Sequence, residues 1–350
     1  MESVIIPKDY NSKLDVWQTE HAIKFVKDSF QLELSAALHL RRITAPLAVM
    51  SGKGLNDNLN GTEPPVSFKL CNFPKNETQL QQAEIVQSLA KWKRYALWRH
   101  HITPGLGIYT DMNALRPNEI TDNIHSIYVD QWDWEKVIQS QERTTAYLYK
   151  TVKEIYHAIK RTEFLLSEQF PVLTPFLPDN IFFIHSEELR KIYPDISPKE
   201  RERVIAKEYG AVFIRGIGGE LSDGSVHDDR SPDYDDWSTP TDDGYNGLNG
   251  DIIVWNPVLE DSLEISSMGI RVSPSSLEKQ LKIKCAEERK KLYFHKLLLD
   301  GKLPQTIGGG IGQSRLCMLL LHKYHIGEVQ AGIWPNDMIE AYEKRGIFIY

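Results

Sequence analysis

The chain reads Gly308-Gly309-Gly310-Ile311-Gly312-Gln313-Ser314-Arg315 and continues as an apolar run over residues 316–321. Four glycines within five residues, followed by apolar residues, predict a tight turn that leads into a helix. Glycine lets a ligand approach the backbone closely because it has no Cβ. Arg315, at the junction of turn and helix, would offer a planar fork of N–H donors to a polyphosphate. Taken alone, the segment fits a structural turn as well as a ligand-binding one.

This segment differs from the two commonest phosphate-binding loops. A Walker loop places Lys and then Ser or Thr directly after its last glycine, and that pair is missing here. The dinucleotide-binding fingerprint needs another glycine three residues after Gly312, where Arg315 stands instead. Any phosphate contact would therefore belong to a different class of site.

The composition is typical of a soluble globular enzyme. Of the 350 residues, 41% are hydrophobic, 25% are charged and 10% are aromatic. The net charge of −7 argues against a large nucleic-acid footprint, and no apolar run is long enough to predict a membrane helix. Cys71, Cys285 and Cys317 are far apart and fit neither a disulfide framework nor a metal site. They predict a reducing compartment, which we take to be the cytoplasm.

Hydrophobic periodicity predicts more strands than helices in the middle of the chain, without βαβ alternation. That pattern favours an α+β fold with a mostly antiparallel sheet flanked by helices, in a single domain over residues 1–350. The predicted helices cover residues 17–40, 134–170, 197–207 and 275–300, and the predicted strands cover residues 66–70, 84–89, 124–133, 211–215, 252–255 and 263–272.

Residues 216–250 form a Gly- and Asp-rich excursion that is too long for an ordinary connection. It is either a solvated loop or a cover over a functional site, and its composition fits both.

Polar residues cluster at four places on this framework. Residues 87–94 are basic and polar where a strand gives way to a helix. Gln131 and Asp133 share a face with apolar residues of one strand, and a buried Asp there needs a cation as partner. Asp251 and Glu264, on two successive strands, could hold a hydrated Mg²⁺. The last place is an arginine at a strand end, Arg116.

These clusters resemble, in order and spacing, the catalytic core of class II aminoacyl-tRNA synthetases. Residues 42–46 resemble motif 1, whose proline lies at the dimer interface; Leu115-Arg116 resembles the start of motif 2, and residues 312–315 resemble motif 3. The chain is still more similar to the ammonia-dependent asparagine synthetases, which have this core without a tRNA-binding domain. That resemblance leaves residues 1–15 as an N-terminal extension. It is carried by residues 57–59, 88–94, 128–134, 233–237, 252–271 and 308–315.

The resemblance implies a reaction in which aspartate and ATP give β-aspartyl-AMP and pyrophosphate, and ammonia then displaces AMP to leave asparagine. It implies that Arg116 and Arg315 are catalytic, with Arg116 on the α-phosphate and Arg315 on the outer phosphates or the adenine. Mg²⁺ would sit on Asp251 and Glu264. It also implies a homodimer without nucleic-acid partners. The implied ATP-binding residues are Arg116, Asn118, Glu119, Gly310, Gly312 and Arg315.

The implied aspartate site follows from the same comparison. Lys93 and Arg271 match positions that bind the substrate carboxylate in aspartyl-tRNA synthetases. Here the β-carboxylate reacts, so aspartate would sit reversed, with its α-carboxylate on these cations. The remaining implied aspartate-binding residues are Asp57, Gln131 and Asp133 at the α-ammonium, Ser88 beside them, and Asp223 from the excursion.

Two positions depart from the family pattern. The glutamate of motif 2 that reads adenine is replaced by Asn118, with Glu119 next to it, and Gly52-Lys53-Gly54 stands where some relatives carry an aspartate.

Three other functions compete with this interpretation. An aspartyl-tRNA synthetase-like paralogue would need an anticodon-binding segment before the core, and none is predicted. A glutamine-dependent synthetase would need a cysteine after Met1, where Glu2 stands, yet glutamine as a nitrogen donor stays open. If the protein only bound ligands and had no catalytic activity, the arginines or the metal carboxylates should be missing, yet all of them are present.

Overall fold

A computed structural model of the protein describes residues 6–57, 59, 63–71 and 81–350. The strands within these ranges are β1 (Leu40–Arg42), β2 (Ala48–Met50), β3 (Ser67–Lys69), β4 (Gln82–Ile85), β5 (Gly107–Leu115), β6 (Tyr128–Val137), β7 (Phe182–His185), β8 (Ala211–Arg215), β9 (Asn249–Asn256), β10 (Asp261–Ile270) and β11 (Thr306–Gly312). The α-helices are α1 (Val16–Leu38), α2 (Ala90–Arg99), α3 (Thr145–Gln169), α4 (Ser186–Ile192), α5 (Pro198–Tyr209), α6 (Pro274–Ile283), α7 (Tyr293–Leu299), α8 (Gln313–Leu320) and α9 (Asn336–Glu343).

Eight strands form one large sheet in the order β1-β5-β6-β11-β10-β9-β8-β7. Every neighbouring pair is antiparallel except the two edge pairs, β1 with β5 and β7 with β8. A second sheet, β2-β4-β3, is small and antiparallel. The prediction of an α+β fold with a mostly antiparallel sheet flanked by helices is therefore confirmed.

Helices α1 and α3 lie side by side and cover one face of the large sheet. Trp132 and Trp134 of β6 point to that face and are buried, and the ring centroid of Phe30 in α1 lies 4.7 Å from that of Trp132. Burying such large aromatic side chains is a main source of stability in a core of this kind. Because side chains alternate along a strand, the residues between these tryptophans point to the opposite face.

The glycine-rich segment is a strand rather than the turn predicted for it. Residues 306–312 form β11, and α8 begins directly after it at Gln313. None of the four glycines in this strand has a positive φ. The prediction of a helix with Arg315 in its first turn is confirmed, whereas the predicted turn is wrong. The glycines serve close packing here and not an unusual backbone conformation.

The space that these glycines leave is filled by side chains of β6. Gly308 pairs with Glu135 and Gly310 with Asp133 in the β11–β6 register. A Cβ on Gly308 would overlap the Glu135 carboxylate, and a Cβ on Gly310 would lie 2.7 Å from Asp133 Oδ1. The two carboxylates therefore lie across the neighbouring strand, over its backbone.

Two predicted helices have other bounds in the structure. The helix predicted over residues 134–170 is α3 alone, because β6 continues through Val137 with the period-2 alternation of a strand. The helix predicted over residues 275–300 is divided into α6, a 3₁₀ turn and α7, and Cys285 in the break has a φ of 51°. A residue with that conformation ends a regular helix.

The Gly- and Asp-rich excursion over residues 216–250 has buried and exposed parts. Isolated β-bridges close two short loops at residues 220–226 and 240–246, whose tips are exposed. Between them, residues 231–238 are mostly buried, and Trp237 is 3% exposed. The prediction of a solvated loop therefore holds only for the two exposed tips, whereas residues 231–238 pack against the large sheet.

Both ends of the described chain pack together. The Tyr10 hydroxyl donates to the Glu328 carboxylate at 2.9 Å, and Arg345 donates to the carbonyl oxygens of Pro7 and Lys8 at 2.8 and 3.0 Å. Of the N-terminal extension predicted over residues 1–15, residues 1–5 lie outside the described part. Within the described ranges, no helix combines the length and apolar character needed to cross a membrane.

Replacing Gly308 with alanine tests the role of close approach in β11. We expect Gly308→Ala to lower the free energy of unfolding by ~1–3 kcal/mol, because the new methyl group overlaps Glu135. Urea unfolding followed by fluorescence measures this change. Gly219→Ala is the matched control, because a Cβ there meets its nearest neighbour at an ordinary 3.4 Å. Equal stability of the two variants would contradict the interpretation.

Candidate active site

The polar face of the large sheet is built on β6 and β11. Gln131, Asp133 and Glu135 alternate along β6 and point to the face opposite the tryptophans. Above them lies a cavity of about 350 Å³. It is bounded by the start of α2, by residues 228–235 of the excursion and by the start of α8. The residues predicted for the site that line this cavity are Ser88, Lys93, Arg116, Glu119, Gln131, Asp133, Glu264, Arg271, Gly310, Gly312 and Arg315.

Lys93 and Asp133 form a buried ion pair on the cavity floor. Lys93 Nζ lies 3.2 Å from Asp133 Oδ1 and donates to the carbonyl oxygen of Gly309 at 2.9 Å. Both side chains are at most 2% exposed. Because a buried charge is costly without a partner, the pair holds both groups in one orientation. The predicted partner of Asp133 was a substrate cation, and Lys93 is an additional partner from the protein itself.

Arg271 is held between two carboxylates. Its Nη2 donates to Glu135 Oε2 at 2.9 Å, and its Nη1 donates to Asp235. All three residues are nearly fully buried, although Arg271 and Asp235 still line the cavity. Burial would lower the pKa of Arg271, but the two carboxylates outweigh that effect and raise it, so the guanidinium stays charged.

Arg116 and Arg315 bring two guanidinium groups to the same wall of the cavity. Arg116 Nε is buried and, among the described residues, no acceptor meets it in hydrogen-bond geometry. Arg315 donates only to backbone, to the carbonyl oxygens of Ile124 at 3.3 Å and Glu264 at 3.1 Å, in the bonds that the structure describes. Burial lowers the pKa of Arg116, and the nearby charge of Arg315 acts in the same direction. Two guanidinium groups this close together favour the binding of an anionic ligand.

Asp57 lies behind the cavity wall and does not line it. Its Oδ2 accepts from Ser88 Oγ at 2.9 Å and from the backbone N–H of Ala90 at 2.6 Å, and Lys91 N donates to its Oδ1 at 3.3 Å. The first N–H groups of α2 lack an intrahelical partner, and this distant carboxylate satisfies two of them. Asp57 therefore fixes the start of α2 and, through it, Ser88.

Asp251 and Glu264, the predicted metal ligands, lie on the neighbouring strands β9 and β10. Glu264 lines the cavity, whereas Asp251 is 3% exposed and pairs with Arg230 through Oδ2. Its Oδ1 is buried and, within the described ranges, has no hydrogen-bond donor. Burial raises the pKa of Asp251 to about 8, and the Glu264 carboxylate adds to this effect. An unpartnered buried carboxylate oxygen next to a second carboxylate fits a divalent cation.

Two predicted site residues lie elsewhere. Asn118 is exposed and does not line the main cavity, although Glu119 beside it does. Asp223 sits at an exposed loop tip, where Arg190 Nη1 donates to it at 3.3 Å, and it is not among the residues that line the cavity. The structure thus separates Asp223 from the other predicted residues, whereas Asn118 lies next to Arg116 and Glu119 in the wall of a smaller pocket. Asn58, which belongs to the segment 57–59, lies outside the described residues.

Several site residues had no predicted role. Glu135 escaped notice because the strand was predicted to end at Asp133, although it continues the same alternation two residues later. Asp235 and Arg230 belong to the excursion, where burial was not visible from composition. Asp130 accepts from the backbone N–H of Ser314 at 3.0 Å and so caps α8, which begins without a side-chain cap of its own.

The fold places the protein in a known structural class. The model superposes on asparaginyl-tRNA synthetase of Pyrococcus horikoshii complexed with asparaginyl-adenylate with a TM-score of 0.63 at 15% identity, over 91% of this chain and 70% of that one. The Entamoeba histolytica asparaginyl-tRNA synthetase in complex with asparaginyl-adenylate gives 0.63 at 13% identity, over 93% and 73%. The fold is therefore that of the class II aminoacyl-tRNA synthetases.

Sequence comparison identifies the family. A family model described as aspartate-ammonia ligase matches residues 17–346. The chain is 55% identical over 349 residues to the aspartate–ammonia ligase of Parabacteroides distasonis, with 100% of both chains covered. It is 54% identical over 349 residues to that of Clostridium perfringens strain SM101, again with 100% coverage. The chain belongs to the aspartate–ammonia ligase family, which confirms the resemblance seen in the sequence.

The ionisation of Asp57 gives a prediction about pH and stability. Burial raises its pKa from 3.8 to about 6, and the charge of Asp233 adds to this effect. As the pH rises, the unfolded state therefore loses this proton at a lower pH than the folded state does. The contribution of Asp57 to stability falls as the pH rises from about 4 to 6. We expect the difference in unfolding free energy between wild type and Asp57→Asn to fall over this range and to stay level above it.

Urea unfolding at a series of pH values measures this difference. Asp242→Asn, at an exposed loop position, is the matched control. A difference that rises between pH 4 and 6, or one that the control reproduces, would contradict the assignment to Asp57.

Proposed function

We propose that this protein synthesises L-asparagine from L-aspartate, ammonia and ATP, through a β-aspartyl-AMP intermediate and with release of AMP and pyrophosphate. The observation that carries the proposal is the pair of guanidinium groups, Arg116 and Arg315, at the wall of a cavity whose floor holds ion pairs suited to an amino acid. Membership of the aspartate–ammonia ligase family supports the same reaction.

The arginine wall suits the attack of a carboxylate on a triphosphate. Both reactants are anionic, so cations at the point of attack must offset their repulsion and the charge that builds on the α-phosphorus. We assign Arg116 to the α-phosphate and the β-carboxylate. Its buried Nε–H has no acceptor in the described part of the chain and can donate to one of these anions. We assign the outer phosphates or the adenine to Arg315, which begins α8. Holding the two reactants together removes much of the entropic cost of their meeting.

The ion pairs of the floor suit the zwitterionic end of aspartate. An α-carboxylate needs a cation and an α-ammonium needs an anion, and the floor supplies both kinds of group in fixed positions. We assign the α-carboxylate to Arg271 and Lys93, and the α-ammonium to Asp133 and Gln131. Ser88 would contact the bound amino acid from α2. Asp57 supports this site indirectly, because its contacts to α2 hold Ser88 in place.

We propose that Asp251 and Glu264 hold Mg²⁺ together with the phosphates of ATP. Acidic side chains outnumber basic ones among the lining residues that the structure describes, so a tetra-anionic nucleotide needs additional positive charge. No group of three or more potential metal ligands exists among the described residues. Mg²⁺ is commonly bound through one or two carboxylates together with substrate phosphates. When bound, the ion would neutralise the pyrophosphate leaving group.

We further propose a single catalytic domain that acts as a homodimer without nucleic acid. The dimer rests on the resemblance of residues 42–46 to motif 1, and Leu47 beside them is 57% exposed. A cytoplasmic location rests on cysteine usage: Cys71, Cys285 and Cys317 are all free.

A product assay tests the proposed reaction. Purified protein is incubated with ATP, Mg²⁺ and aspartate, with ammonium, with glutamine or with neither. We expect AMP, pyrophosphate and asparagine in equal amounts with ammonium only, and no turnover when EDTA removes the metal. Pyrophosphate exchange without asparagine would point to a synthetase-like paralogue with another acceptor. Absence of all products would contradict the proposal.

Truncation of Arg116 tests its assignment to the α-phosphate. We expect Arg116→Ala to slow aspartate-dependent ATP–pyrophosphate exchange by a factor of ~10²–10³, as removal of one donor to transition-state charge does. Arg116→Lys should recover only part of the rate, because a single ammonium cannot replace a bidentate fork. Circular dichroism and thermal melting check that the fold is kept. Near-normal exchange in Arg116→Ala would contradict the assignment.

A further inference from the structure

Gln87 is a buried amide that the reaction as described does not use. It lies between β4 and α2, directly before Ser88, and is 1% exposed. Its backbone N–H donates to Asn56 Oδ1 at 2.9 Å, but its side-chain Oε1 is buried without a hydrogen-bond partner in the described part of the chain. Leaving a buried acceptor unpaired costs ~1–3 kcal/mol. An acceptor in this state can bind a ligand that donates a hydrogen bond.

The Gln87 side chain lines a small chamber beside the main cavity. The chamber has a volume of about 120 Å³ and contains Arg116 and Glu119 in its wall, together with Glu63 and Leu59. These four residues also line the main cavity. The chamber therefore meets the main cavity at Arg116, the residue assigned to the reacting carboxylate and the α-phosphate. If Arg116 holds the reacting carboxylate as proposed, a molecule in the chamber would lie beside that carboxylate.

The chemistry of the chamber selects a small cation that donates hydrogen bonds. Among the described residues, its polar side chains besides Arg116 and Asn118 are Gln87, whose Oε1 has no partner there, Glu63 and Glu119. Acceptors and negative charge favour an ammonium-type donor and disfavour a second anion. One water molecule takes ~30 Å³ of liquid volume, so the chamber has room for a few molecules of that size. Ammonium has four N–H groups and is about the size of water, so it fits both the acceptor groups and the volume of the chamber.

We propose that this chamber is the ammonium-binding site, with Gln87 Oε1 as a direct acceptor from the bound nitrogen. The proposal rests on the proposed function, since ammonium matters only if asparagine is the product. Glu63 and Glu119 supply the negative charge that draws the cation in, and one of these carboxylates takes the proton that ammonium must lose before attack.

The step at this site balances as follows. Ammonium gives one proton to a carboxylate of the chamber, and the freed nitrogen lone pair forms a C–N bond with the β-carbonyl carbon of β-aspartyl-AMP. The C–O bond to the phosphate breaks, and AMP leaves with that electron pair. The nitrogen then loses a second proton, so asparagine, AMP and two protons are formed from the adenylate and ammonium.

Replacing Gln87 with methionine tests the site, because it keeps the length of the side chain and removes the acceptor. Asparagine formation is measured against ammonium concentration at saturating aspartate and ATP. We expect Gln87→Met to raise the KM for ammonium about tenfold or more, as loss of a hydrogen bond to a charged group does. The KM values for aspartate and ATP should change less than twofold, and ATP–pyrophosphate exchange without ammonium should keep its rate.

Two further variants keep the test decisive. Gln87→Asn retains the amide but withdraws it from the chamber, so it should raise the KM for ammonium to a smaller extent, and it replaces Gln87→Met if that variant does not fold. Gln141→Met, at an exposed position, is the matched control and should leave all three KM values unchanged.

The outcomes separate the two proposals. If the wild-type protein makes no asparagine, the proposed function itself fails. If the wild type is active but Gln87→Met leaves the KM for ammonium unchanged, the site is overturned while the function stands. A parallel rise in all three KM values, or loss of exchange in a folded variant, would also overturn it, because that pattern indicates a structural role.

Discussion

The close approach of β11 to the carboxylates of β6 is the constraint on which the active-site face depends. Because Gly308 and Gly310 have no Cβ, Glu135 and Asp133 can lie over the neighbouring strand instead of standing upright. In that position they meet Arg271 and Lys93, which come from other parts of the chain. A side chain at either glycine would displace a carboxylate and so weaken a buried ion pair, which is destabilising.

The ion pairs formed in this way have a function beyond stability. Buried pairs add little to the free energy of folding, because desolvation of both charges offsets much of their attraction. Their value here lies in fixed orientation, because Lys93 and Arg271 are each tied to carboxylates. If the floor binds an amino acid as we propose, that ligand would meet preset charges of both signs. Arg116 is the contrast, since its Nε has no acceptor in the described part of the chain and stays available for a ligand. Within the described residues, the site thus combines paired charges on its floor with an unpaired Arg116 donor at the wall proposed to react.

Much of the protein could be predicted from local sequence features. The antiparallel sheet, α1 and the helix after the glycines were predicted from periodicity, and most cavity residues were expected from the resemblance to the family. Errors arose where local signals had two meanings. Glycines of β11 suggested a turn, and the apolar start of the segment 134–170 suggested a helix, although β6 continues to Val137. The substrate roles of Asp223 and Asp57 were implied by the resemblance and stay predictions; the structure has Asp223 at an exposed loop tip and Asp57 at the start of α2.

The sequence by itself determined the family and the class of fold, because these depend on motif order and on spacing along the chain, and it proposed residues for the site. Only the tertiary structure decided which charges meet: Glu135 and Asp235 with Arg271, Arg230 with Asp251, and Asp57 with α2. Such pairs join residues far apart in the chain, so no local pattern encodes them. The lack of a partner for Gln87 Oε1 among the described residues became visible in the same way, because it depends on how distant parts of the chain pack together.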